Sequence, residues 1–181
     1  MPQQARAAPM RLFFALVPPP GIQGRLGELA QAIASDTLGR PVPAHNVHAT
    51  LAFLGHVDAQ RAPGLLMLGG RTAGESFALS LNRVGWFRQA RVAWIAPHAV
   101  PLQLTHLQAD LERLLGSAGF ALDPRPFNPH LTLARHCARG IERNAVDAID
   151  WTVEHFALMQ SLSTQDGVRY EALATWPLRR S

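Results

Sequence analysis

The chain has 181 residues, a length that fits one domain and buries enough surface to fold without a covalent staple. Its single cysteine, Cys137, excludes an internal disulfide and suits a reducing, cytoplasmic setting, and no apolar run approaches the roughly 18 residues that span a bilayer. The formal net charge of +4, carried by arginine, permits an anionic substrate without specifying one.

Residues 1–9 are polar and alanine-rich, with one charge at Arg6. They lack the apolar core of a secretory signal and are expected to form a loose tail ahead of a single domain over 10–181. The apolar run 11–17, stopped by Pro18, Pro19 and Pro20, predicts a buried strand. Ile22, Leu26, Leu29 and Ile33 recur at helical spacing and predict an amphipathic helix ending near Gly39. A second strand is expected over 48–54, closed by Gly55, and a helical patch over 65–68. Residues 77–84 alternate like a strand, with a hairpin partner at 91–96 across a loop over 85–90. Leu104, Leu107, Leu111 and Leu114 mark another helix, ended by Gly116 or Gly119. Pro124, Pro126 and Pro129 lead into a strand over 130–135. Two late strands, 156–163 and 169–175, are expected to flank a turn at Asp166-Gly167. This interleaving predicts an α+β fold of antiparallel sheets with flanking helices.

An internal echo runs through the chain. Each half carries an amphipathic helix, a proline-bearing loop and a strand opening with His-x-Thr-Leu-Ala: His48-Ala49-Thr50-Leu51-Ala52 and His130-Leu131-Thr132-Leu133-Ala134. Alternate residues of a strand share a face, so His48 projects with Thr50 and His130 with Thr132. Imidazole exchanges protons near neutrality, and two imidazoles across a cleft supply an acid and a base together. Hydroxyl donors beside them suit the non-bridging oxygens of a phosphoryl group. A phosphodiester fits this arrangement, with no metal and no cofactor required.

The segments Arg11-Leu-Phe-Phe-Ala-Leu16, Asn46–Gly55, Arg125–Arg135 and Trp176-Pro-Leu178 together resemble the LigT-type bacterial family. Its members are RNA 2′,3′-cyclic phosphodiesterases, also called 2′–5′ RNA ligases, of the two-histidine phosphoesterase superfamily. The resemblance implies a bilobal α+β fold, two antiparallel sheets with flanking helices around a central cleft lined by both motifs. It also implies opening of a terminal 2′,3′-cyclic phosphate to a 2′-phosphomonoester, with His48 as proton donor and His130 as proton acceptor. Thr50, Thr132 and Arg135 would bind phosphate. Arg135 matches a family arginine, yet strict alternation puts it opposite to His130: either the strand ends or bulges there, or Arg135 contacts phosphate from the rim. Ala49 stands where the family usually has leucine, which trims packing behind the strand.

Other features compete less well. His45 and His136 flank the motifs, but no carboxylate lies nearby to complete a metal site. Cys137 is expected to pack rather than react. Among Phe13, Phe14, Trp86, Phe87 and Trp94, most are expected in the core, with the loop pair Trp86-Phe87 the best candidate for stacking on a base. The expected partners are RNA ends or nucleoside 2′,3′-cyclic phosphates, with no membrane, and the chain is expected to be a monomer. Three functions remain open: hydrolysis of the cyclic phosphate, 2′–5′ ligation at the same site, and a binding module that only grips RNA.

Overall fold

Short apolar runs bounded by proline and glycine become strands here, and runs with apolar residues every three or four positions become helices. The computed structural model describes residues 8–142, 144–165 and 167–180. Its first half holds β1 (Met10–Leu16), α1 (Pro20–Thr37), β2 (Arg40–Pro41), β3 (Ala49–Val57), α2 (Ala62–Arg71), β4 (Phe77–Phe87) and β5 (Val92–Pro97). The second holds α3 (Leu102–Ser117), β6 (Leu131–Arg135), β7 (Ala145–Val153), β8 (His155–Thr164) and β9 (Gly167–Pro177). The expected tail over 1–9 falls mostly outside the described residues, as does Asp166 of the expected late turn.

Every ladder is antiparallel, in the order β7-β4-β5-β6-β3-β1-β8-β9, with β2 added to β6. The two expected sheets are therefore two lobes, β3-β1-β8-β9 and β6-β5-β4-β7, joined edge to edge. The joint is a single residue pair, Ala49 opposite Leu131. The strands diverge on either side of it and leave the cleft between the lobes.

The helices cross over. α1 leaves the first lobe and lies against β6, β7 and β5 of the second, whereas α3 leaves the second and lies against β3 of the first. Each amphipathic stripe thus covers the opposite lobe, and one continuous core results. Leu12, Phe14 and Leu16 of β1, Leu26 and Ile33 of α1, and Leu104, Leu107 and Leu111 of α3 are all fully buried in it.

Three elements depart from the sequence reading. Gly55 does not close β3, which continues to Val57. Leu54 is instead an extra residue in the ladder with β1, and Gly55 takes the left-handed conformation at φ 69° that such a bulge favours. The hairpin loop expected over 85–90 is a tighter turn over 88–91, because Trp86 pairs with Ala93 and Phe87 with Val92. The edge strand β7 was not expected. Its signal is the alternation of buried Ile149, Trp151 and Val153 with exposed Asp150 and Thr152.

Candidate active site

The joint between the lobes creates the site. Where Ala49 faces Leu131 in an antiparallel pair, His48 comes opposite Thr132 and Thr50 opposite His130. Ala49 and Leu131 point into the core, exposed by 2% and 1%, so the four flanking side chains share the other face. All four line one cleft of about 750 Å³.

Both histidines stand one residue ahead of their strands, β3 and β6, and both are held in the same way. His48 Nδ1 lies 2.8 Å from the carbonyl oxygen of Asn46, and His130 Nδ1 lies 2.8 Å from that of Asn128. A carbonyl oxygen only accepts, so each Nδ1 carries the proton and donates it. Each Nε2 is left as the acceptor of a neutral ring or the second donor of a charged one. The repeat in sequence is therefore longer than His-x-Thr: it begins at Asn-x-His, a spacing visible in both halves whose meaning lies in the backbone carbonyl.

The surroundings of the two rings differ. His48 is flanked by Phe13, with ring centroids 4.8 Å apart, and by the edge of Tyr170 at 4.9 Å. Phe87 meets His130 edge to face at 5.1 Å. Burial lowers the proton affinity of His48, the bond to the Asn46 carbonyl opposes that, and the positive fields of Arg135 and His130 lower it further. Asn46 is itself buried. Its Nδ2 donates to the Val168 carbonyl at 2.7 Å and its Oδ1 accepts from the Tyr170 N–H at 3.2 Å, which ties the His48 loop to β9.

Arg135 reaches the cleft because the alternation of β6 is broken. Ala93 pairs with Ala134 but Trp94 with Thr132, so Leu133 is an extra residue, and Leu133 and Ala134 are both fully buried. Arg135 then regains the cleft face at the end of the strand, where the backbone takes the left-handed conformation at His136, φ 56°. Arg11 and Arg40 join it in the lining, and among the described residues no Asp or Glu does.

Of the other candidates, His136 lines the cleft and His45 does not. Among the described residues, no three His, Cys, Asp or Glu side chains are grouped to hold a metal ion. Cys137 is 1% exposed, with Thr37 Oγ1 3.4 Å from its sulfur, and lies outside the cleft lining. Phe14 packs in the core with Phe156 and Trp176, while Phe13, its neighbour on the opposite face of β1, lines the cleft. Phe87 lines the cleft too, but from a strand end rather than a loop. Tyr170 and the side chain of Asn46 were missed by sequence reasoning. The β8–β9 hairpin brings Tyr170 to the site across more than 120 residues of chain, and no local pattern marks it.

A duplicated His-x-Thr on one face of a pinched, two-lobed antiparallel sheet is the arrangement of a two-histidine phosphoesterase. The chain belongs to the 2′-5′ RNA ligase superfamily, whose profile matches residues 18–165. It is 33% identical over 172 residues to the RNA 2′,3′-cyclic phosphodiesterase of Escherichia coli strain K12, covering 94% of this chain and 97% of that protein. It is likewise 33% identical over 180 residues to the RNA 2′,3′-cyclic phosphodiesterase of Thermus thermophilus, covering 94% of this chain and 91% of that protein. The crystal structure of E. coli LigT complexed with 3′-AMP superposes with a TM-score of 0.87 at 33% identity, over 94% of this chain and 98% of that one.

Proposed function

We propose that this protein opens terminal 2′,3′-cyclic phosphates of RNA, or of nucleosides, to 2′-phosphomonoesters by acid–base catalysis between His48 and His130. The observation that carries the reading is the mirrored pair of imidazoles, each fixed through Nδ1 to a carbonyl and each beside a threonine on the cleft face. In this reading His130 Nε2 takes a proton from water as the water oxygen attacks phosphorus. The bond from phosphorus to O3′ breaks, and His48 Nε2 gives its proton to the departing O3′. The hydroxyls of Thr50 and Thr132 and the guanidinium of Arg135 bond the non-bridging oxygens, where charge accumulates. The Asn46 and Asn128 carbonyls stabilise whichever ring is positively charged, before and after transfer.

The lowered proton affinity of His48 bears on its proposed role as donor. A cyclic phosphate monoanion entering beside Arg135 offsets the positive field on His48, so the substrate itself favours the charged ring that donation requires. A cytoplasmic monomer completes the reading, and light scattering on the purified protein checks the oligomeric state.

The test is turnover of a nucleoside 2′,3′-cyclic phosphate in excess chelator. Activity persists there, and His48→Ala and His130→Ala each lower kcat by about 10²–10⁴-fold. Full turnover by either variant sinks the proposal. The same proteins judge the binding-module reading, which fails if His48→Ala still binds a cyclic-phosphate end but no longer turns it over.

A further inference from the structure

The cleft holds more positive charge than the proposed reaction uses. A nucleoside 2′,3′-cyclic phosphate carries one negative charge, which Arg135 and a single charged imidazole already balance. Arg11, Arg40 and His136 also line the cleft. Arg11 has a neighbour of its own, since its guanidinium lies over the Phe53 ring, 5.3 Å from the centroid. Arg40 and His136 are left to account for.

Their place follows from the edge of β6. Two segments share that edge: β3, through Ala49 opposite Leu131, and β2, through Pro41 opposite Ala134 and Arg40 opposite Arg135. His48 lies between those two pairings. Arg40 and His136 therefore sit at the His48 end of the cleft, whereas His130 precedes β6 at the other. Thr132 and Arg135 are three residues apart, at most about 10 Å of strand. One nucleotide step and an arginine side chain together span that gap.

Without an anion this end of the cleft is unfavourable. Arg40 and Arg135 are direct cross-strand partners of like charge, which weakens a ladder. Neither side chain makes a hydrogen bond or ion pair among the described residues. His136 holds a left-handed backbone, φ 56°, uncommon for a residue with a Cβ. Arg91 fixes it there. Its Nη2 donates to the His136 carbonyl at 3.3 Å and its Nε to the Cys137 carbonyl at 3.0 Å, while its own carbonyl accepts from the Cys137 N–H at 3.0 Å. A braced turn thus keeps an imidazole in the lining close to the arginine pair.

We infer that Arg40 and His136 form a second phosphate subsite, which takes the 5′-phosphate of the nucleotide that ends in the cyclic phosphate. The inference rests on the donor role proposed for His48: O3′ and its ribose then lie at the His48 end, and the 5′ carbon of that ribose leads toward Arg40. A planar guanidinium presents paired donors to phosphate oxygens, and His136 adds a ring N–H. The enzyme is therefore selective for a cyclic phosphate on a 5′-phosphorylated nucleotide, free or at the end of a chain, over one on a plain nucleoside.

The experiment compares kcat/KM of the full chain, in excess chelator, on three substrates. They are adenosine 2′,3′-cyclic phosphate, the same compound carrying a 5′-phosphate, and a dinucleotide ending in it. The second and third should exceed the first about tenfold, as expected for one charge-assisted contact, and the advantage should shrink as salt rises. Arg40→Gln should remove most of that advantage, His136→Ala a smaller part, and Arg40→Lys should retain some of it. Equal values for the first and second substrates overturn the inference. So does an Arg40→Gln loss of the same size on all three, which puts Arg40 on the reacting phosphate or in the fold alone. A gain confined to the dinucleotide and intact in Arg40→Gln overturns it too, because the second nucleoside is then what is recognised. If the wild-type protein turns over none of the three, the proposed function itself fails and the subsite with it.

Discussion

His48 sits between two aromatic rings with a guanidinium close by, and the consequence is measurable as a pH dependence. Its proton affinity is lowered from the ordinary value of 6.5, first by burial and then by the fields of Arg135 and His130. As the proposed donor, His48 must be charged, so kcat/KM is expected to fall as pH rises through its midpoint, with that descending limb below 6.5 in the free enzyme. Removing the nearby positive charge in Arg135→Gln should move the midpoint upward. Ring proton shifts of His48, followed by NMR titration, read it directly; a midpoint that moves down or stays fixed contradicts the account. Asn46 acts on the same ring through geometry. Asn46→Ala removes two bonds from a buried side chain, which is expected to cost about 1–3 kcal/mol in urea unfolding and to lower kcat more than it raises KM. At this scale the histidines and threonines were legible because a repeated motif marks them. Asn46 was legible only as a letter in the repeat, since its partners Val168 and Tyr170 are more than 120 positions away.

Helix α1 shows how an element can be read correctly from a residue doing a different job. Gly39 suggested a glycine stop, yet Leu38 occupies the left-handed position, at φ 53°, and Gly39 follows it. Gly39 is needed for space: a Cβ there would stand 3.0 Å from both the Arg135 carbonyl oxygen and the Cys137 sulfur. Leu38 is 65% exposed, so its side chain contributes little burial against the strain of its backbone. Leu38→Gly is therefore expected to stabilise the protein by about 0.5–1 kcal/mol, and Gly39→Ala to destabilise it; thermal unfolding of both variants checks the pair. The strands were legible where proline or glycine bounded an apolar run. β4 exceeded its expected end because cross-strand pairing of Trp86 and Phe87 prevailed over the glycine at 85. β7 was overlooked because an edge strand with acidic residues facing outward carries only half of a hydrophobic pattern.

The molecule is two lobes hydrogen-bonded through one pair but tied together by helices that have changed sides. A narrow joint alone would let the lobes melt separately. The exchange of α1 and α3 places part of each lobe's core in the other half of the chain, so the lobes should unfold in one step. Trp86, Trp94 and Trp151 report on one lobe and Trp176 on the other. Urea transitions of single-tryptophan variants should coincide with one another and with the loss of far-ultraviolet circular dichroism, and two separated midpoints would contradict the exchange as the source of coupling. The α+β class and the paired lobes were legible from the internal echo. The crossover was not, because an amphipathic stripe says that a helix is covered without saying by which sheet.

The contact at Ala49 and Leu131 has the form of an isologous interface: a histidine of each half faces a threonine of the other. In an assembly of two identical chains, any substitution near one histidine would be copied beside the second, and the two rings could never be given different proton affinities by sequence. Carrying both halves on one chain removes that constraint. Phe13 and Tyr170 could be arranged around His48 while Phe87, among the described aromatic rings, meets that of His130. A division of labour between an acid and a base is therefore a privilege of the fused, asymmetric copy.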